Sequence, residues 1–244
     1  MKIIINGKSI SKQELDQWKK KRYSKAIKNL KKRIEIIDDM DAMARKVTEI
    51  KMQYSYNEMV ELLKNKLWLS EKIMKLACTA SKGKRKFCIT EIEMSGISAK
   101  EIIDGIDDLM LIQSRKNDEV NLSACPEHYV LRPLGENTLE VIETTGNSPL
   151  PVQFFIEYNN EAGIQTSRDY SYEYQSTGIA RLKDGTLLGG VRHQFKETKD
   201  GFKARLVVEF PSSCPDSIIK SHQMHLACEF SYWFNYIKNL AVNK

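Results

Sequence analysis

All six prolines, Pro126, Pro133, Pro149, Pro151, Pro211 and Pro215, fall after Leu122, and no other feature of the sequence narrows the fold so sharply. Proline lacks an amide hydrogen and clashes with the preceding helical turn, so long helices belong where it is absent. Residues 11–51 contain neither proline nor glycine and predict one or two helices, with Ser11 as N-cap and Glu14 as its capping-box partner. The helical pattern continues through residues 54–69 and, after a cap at Ser70, residues 71–79. Ahead of these, Asn6-Gly7 marks a short hairpin within residues 2–10.

Beyond Leu122 the chain is cut into short β-rich pieces: residues 139–144, 152–158, 169–182, 187–197 and 202–210, with Asp184-Gly185 and Asp200-Gly201 at two of the turns. A helix over residues 216–240 ends the pattern. The expectation is an α+β chain of two domains, residues 1–122 and 123–244. The second is an antiparallel sheet closed by the long C-terminal helix, the helix-grip plan of many ligand-binding domains.

The stretch ITEIEMSGISAKEIIDGIDDLMLIQSRKNDEVNL predicts a winged helix-turn-helix in the first domain. Thr90 caps a first helix that stops near Gly96, and Ser98 with Glu101 forms a capping box for a second. In that second helix Ile102, Ile106 and Leu109 share one face, and Lys116, Asn117, Asp118 and Glu119 form the tip of a wing. Charge points the same way. Residues 1–100 hold 24 Lys and Arg against 12 Asp and Glu, whereas the remaining 144 hold 14 against 20. A basic half attracts polyanions through counterion release. The phosphate-contact candidates are Lys19, Lys20, Arg22, Lys28, Lys32, Lys82, Lys84, Arg85, Lys86 and Lys100. The polar side of the second helix argues against base reading, since Glu101, Asp104, Asp107 and Asp108 surround Lys100. A winged helix that makes protein contacts fits those acids equally well.

A mean hydropathy of −0.45 and the lack of a long apolar run leave no transmembrane segment, and MKIIINGKSI turns polar too soon for a secretory signal. Five cysteines without regular spacing fit reduced thiols, so a cytoplasmic location is expected.

All four histidines, His128, His193, His222 and His225, lie in the second half. His225 and Glu229 are four residues apart on the last helix, a spacing that offers two ligands to one divalent metal. Cys125, Glu127 and His128 stand together at the start of the sheet and can complete such a site. The plainer reading makes His225 a core residue and Glu229 either solvated or bonded to a tyrosine on the sheet.

The run SIIKSHQMHLACEFSYWFNYI resembles the closing helix of the zinc-dependent phloretin and diacetylphloroglucinol hydrolases, and Pro126-Glu127-His128 resembles a short segment of the same family. The resemblance implies a helix-grip enzyme with zinc on His225, Glu229 and either Glu127 or His128. It implies cleavage of a carbon–carbon bond in an acylated phenol, with His193 or a tyrosine protonating the departing ring carbon.

The leading reading is a nucleic-acid-binding regulator whose second domain binds a small molecule or partner. The alternatives are a zinc hydrolase whose first domain supports or dimerises it, and an interaction scaffold.

Overall fold

Asn6 and Gly7 both take left-handed backbone, as a two-residue hairpin requires, and fold strand β1 (Lys2–Ile5) onto β2 (Lys8–Ile10). Ser11 then caps α1 (Lys12–Asn29) in a reciprocal box with Glu14. A second helix, α2 (Met40–Lys51), starts at the cap Asp39, and Ser55 with Glu58 caps α3 (Tyr56–Ser81). The break expected at Ser70 does not occur: its hydroxyl donates to the Leu67 carbonyl and the helix continues through it. Strand β3 (Arg85–Ser95) leads into α4 (Ala99–Leu111) and α5 (Arg115–Ala124). Six strands follow: β4 (His128–Pro133), β5 (Thr138–Glu143), β6 (Val152–Tyr158), β7 (Tyr174–Arg181), β8 (Leu187–Thr198) and β9 (Gly201–Pro211). Helix α6 (Asp216–Val242) ends the chain as given by this computed structural model, which describes residues 1–242.

The nine strands form one antiparallel sheet in the order β2-β1-β3-β9-β8-β7-β6-β5-β4. Its concave face is gripped by α6 together with α4 and α5. Leu226, Phe230, Phe234 and Ile237 of α6 pack with Ile102 and Ile106 of α4 and with Phe195, Phe202 and Leu206 of the sheet. A second core joins α1, α2 and α3 to the opposite face of β4 and β5, where Leu30, Met43 and Leu63 meet Tyr129, Val130 and Ile142. The sheet spans residue 122, because β1 and β3 from the first half hydrogen-bond into the same sheet as β9. No described helix is long and apolar enough to cross a membrane.

The winged helix is not formed. The segment expected as its first helix is β3, paired with β9 from Arg85↔Pro211 to Ser95↔Gly201. Cys88, Thr90, Ile92 and Met94 alternate inward along it, a period of two that a short apolar run shares with a helix start. The expected wing is α5: Ser114 caps it through the Asn117 amide, and no glycine or proline is present to turn the chain at Lys116–Glu119. Only the second helix of the motif, α4 with its Ser98/Glu101 box, stands where expected.

Candidate metal centre and cavity

The site begins with one extra residue. Between His128 and Val130 the β4–β5 register shifts by a bulge, so Tyr129 and Val130 both face the helical side while His128 and Leu131 face the concave side. His128 is thereby opposite Glu143, the last residue of β5, in a cross-strand pair. Glu143 ends an inward row, Leu139, Val141 and Glu143, spaced by two. From α6, His225 and Glu229 project from one helical face, as their spacing of four predicts.

One sheet pair and one helix pair therefore converge. His128 Nε2 lies 3.1 Å from His225 Nε2 and 3.1 Å from Glu229 Oε2. His225 Nε2 is 3.4 Å from Glu229 Oε2, and Glu143 Oε2 is 3.7 Å and 3.6 Å from the two imidazoles. A tetrahedral zinc with bonds of about 2.0–2.1 Å holds its ligand atoms about 3.4 Å apart. Two imidazole nitrogens and two carboxylate oxygens at this spacing thus match the donor set and the edge length of a zinc site, and all four residues are buried.

Support behind the ligands is equally specific. His128 Nδ1 is 2.8 Å from the Asn121 carbonyl, which can only accept, so the proton sits on Nδ1 and Nε2 presents its lone pair. Asn121 lies in the last turn of α5, where two further free carbonyls are used. Leu122 accepts from Lys51 Nζ at 2.9 Å and Ala124 accepts from the Cys228 thiol at 3.3 Å. Burial pulls His225 down, but Glu143 and Glu229 more than reverse this and carry it up to about 9. Burial acts on Glu229 too, yet His225 and His128 hold its carboxyl well below the usual carboxylate range. Glu143 is pushed up, because burial outweighs the two imidazoles.

Glu143 and Glu229 also line a cavity of about 130 Å³ between α6 and the sheet. Its walls are mostly apolar, among them Ile106, Met110, Leu139, Ile156, Leu226 and Phe230. Polar atoms are few. His193 accepts from the Val207 amide at Nδ1, 3.3 Å, and burial holds its pKa down to about 4, so the ring is neutral at pH 7 with its proton on Nε2. Tyr158 stays a phenol because burial raises it. His222 and Trp233 line the same space, and among the described residues the buried His222 Nδ1 and Trp233 Nε1 find no hydrogen-bond partner.

Of the residues expected to bind metal, the fold brings together His128, His225 and Glu229 and adds Glu143. It leaves Glu127 apart, with its carboxylate paired to the buried guanidinium of Arg22. Glu143 was missed because cross-strand partners are not adjacent in sequence. Its one signal was an acid closing a row of inward apolar residues.

Several of the phosphate-contact candidates are buried or engaged by other groups of the chain. Arg22 is buried, Arg85 donates to the Leu188 carbonyl, and Lys86 and Lys100 pair with Asp216 and Asp104. Lys19 and Lys20 face Asp16 and Asp38, and Lys32 lies over the Tyr54 ring. Lys28, Lys82 and Lys84 are exposed.

No family model matches the chain, and no curated protein matches it. Eleven solved chains do. Among them, the crystal structure of Ara h 8.0201 is 10% identical, with 63% of this chain and 98% of that chain covered and a TM-score of 0.42. Protein Ms6760 from Mycobacterium smegmatis is 17% identical, with 64% and 91% covered and a TM-score of 0.37.

Proposed function

We propose that the protein is a zinc-dependent hydrolase that cleaves a carbon–carbon bond in a small, mainly apolar acylated phenol. The observation that carries this reading is the tetrad: two nitrogens and two carboxylate oxygens, buried together within 4.8 Å of one another, every imidazole contact at 3.1 to 3.7 Å, beside an apolar cavity. Four such groups are costly to bury, and a divalent cation balances them. Zinc, when bound and opened to a fifth position beyond these four ligands, would supply a Lewis acid for a ketone oxygen or an activated water.

The chain's own residues do the rest. His128, Glu143, His225 and Glu229 hold the ion, with His128 fixed by the Asn121 carbonyl. The apolar walls, Phe230 and Trp233 among them, orient an aromatic ring and exclude water. Tyr158, kept protonated by burial, and neutral His193 hold the protons available to a departing ring carbon.

Elemental mass spectrometry of untagged protein, purified without chelator, tests the reading. The expected result is about one zinc per chain, lost in His225→Ala and in Glu143→Ala, with hydrolysis of acylated phenols that follows the zinc. Protein that carries no metal, gains no thermal stability from added zinc and cleaves no such substrate would overturn it. What remained would be a metal-free domain that binds a small molecule in the same cavity.

A further inference from the structure

Trp18, Arg22 and Lys25 recur along α1 at intervals of four and three, so they share one helical face. Composition places this face in a basic run, yet the structure turns it inward. All three reach the scaffold of the metal centre, Trp18 at α6 and the other two at the β5–β6 loop. The Trp18 indole N–H donates to Ser221 Oγ at 3.1 Å, one turn before His225 on α6, and its ring stands edge-on to His225 with centroids 6.3 Å apart. Arg22 pairs with Glu127, the residue before His128, and through Nη1 donates to Asn147 Oδ1 at 3.1 Å, four residues beyond Glu143. Lys25 donates to the Ser148 carbonyl in the same β5–β6 loop.

That loop is itself pressed onto α6. Gly146 has φ +56, and a Cβ there would meet the Ile218 carbonyl oxygen at 2.5 Å and the His222 amide at 3.0 Å. One guanidinium therefore ties the turn that carries His128 to the loop that follows Glu143, where that loop abuts the helix of His225 and Glu229. A planar, multiply donating group suits such a bridge, and the point charge of a lysine does not.

We infer that Arg22 is a positioning residue for the metal centre, acting through Glu127 and Asn147, and that α1 clips together the segments bearing all four ligands. This rests on the zinc reading above. It also assigns Glu127 a role that the sequence alone misplaced: it receives the clip and does not ligate.

The test uses the full chain, with cobalt(II) as a spectroscopic stand-in for zinc. Arg22→Lys keeps the charge beside Glu127 but cannot also span to Asn147. It is expected to melt within a few degrees of wild type in the metal-free form. Its zinc affinity, measured by competition with a chromogenic chelator, should fall by about 10- to 100-fold, the loss typical of removing an outer-shell support, with weakened and shifted visible bands of the cobalt form. Asn147→Ala, at an exposed loop position that leaves Arg22 and Glu127 untouched, should move both readouts in the same direction by a smaller amount. Arg22→Lys and Asn147→Ala proteins with wild-type affinity and spectrum would overturn the positioning role while leaving the zinc reading intact. Wild-type protein that binds neither zinc nor cobalt would overturn both. A simple loss of folding would show as a lowered metal-free melting temperature without any change in the cobalt bands of the folded fraction, and that result also counts against positioning.

Discussion

Leu139 and Glu143 face the same cavity from the same strand, four residues or about 13 Å apart, and their surroundings are opposite in kind. Around Leu139 the cavity is closed by Ile106, Met110 and Ile156, side chains that lose nothing by leaving water. Around Glu143 sit His128, His225 and Glu229, each of which loses hydration when buried. Burial of the first group stabilises the fold, and burial of the second opposes it unless something balances the charges. The row Leu139, Val141, Glu143 therefore passes from packing to chemistry within three inward positions, and the packing end sustains the chemical end.

Three experiments bear on that contrast. The largest effect is expected from Leu139→Ala, which should cost about 2–5 kcal/mol in denaturant unfolding, as buried leucine truncations do, while zinc stoichiometry stays at the wild-type value. Zinc lost along with stability would mean that the two ends are not separable. A smaller effect of opposite sign is expected when leucine replaces all four tetrad residues. The metal-free protein should then unfold about 1–4 kcal/mol less readily, since a buried polar cluster without its ion is a net cost. A destabilised quadruple variant would show that the tetrad stabilises the fold by itself.

The smallest effect, counted per pH unit, concerns the lysine behind the tetrad. Lys51 is buried, and burial brings its pKa from 10.5 down to about 7, so between those values the unfolded chain binds a proton that the folded protein does not. Stability should therefore rise with pH from about 7 to about 10.5, by at most about 1.4 kcal/mol per unit, and Lys51→Met should flatten that slope. An equal slope in the variant would locate the titration elsewhere.

How far the sequence could be read followed the range of the interactions involved. Helix α4 was legible because its cap, its Glu101 partner and its apolar stripe lie within a few residues of one another. The final helix and its His225/Glu229 pair were legible for the same reason. Strand β3 was misread because its seven residues from Ile89 to Ser95 satisfy two periods, and only pairing with β9, more than a hundred residues away, selects the strand. Glu143 and Arg22 were illegible as site residues, since strand register decides the first and the turning inward of one face of a basic helix decides the second. Glu127 drew attention by standing next to His128, but it lies in the turn before β4 and its carboxylate is taken by Arg22.

The bulge at Tyr129 works as a phase shift in the strand's alternation. Past it, Leu131 pairs with Val141 and Pro133 with Leu139, so everything beyond keeps one rhythm, and His128 alone keeps the other. Deleting that single residue would join His128 to Val130 and restore plain alternation, with His128 two places from Leu131, on the same face and still opposite Glu143. The bulge thus lets the strand send one more side chain, Tyr129, into the core of α1, α2 and α3, where its hydroxyl accepts from Asn29, without moving the imidazole on the other face.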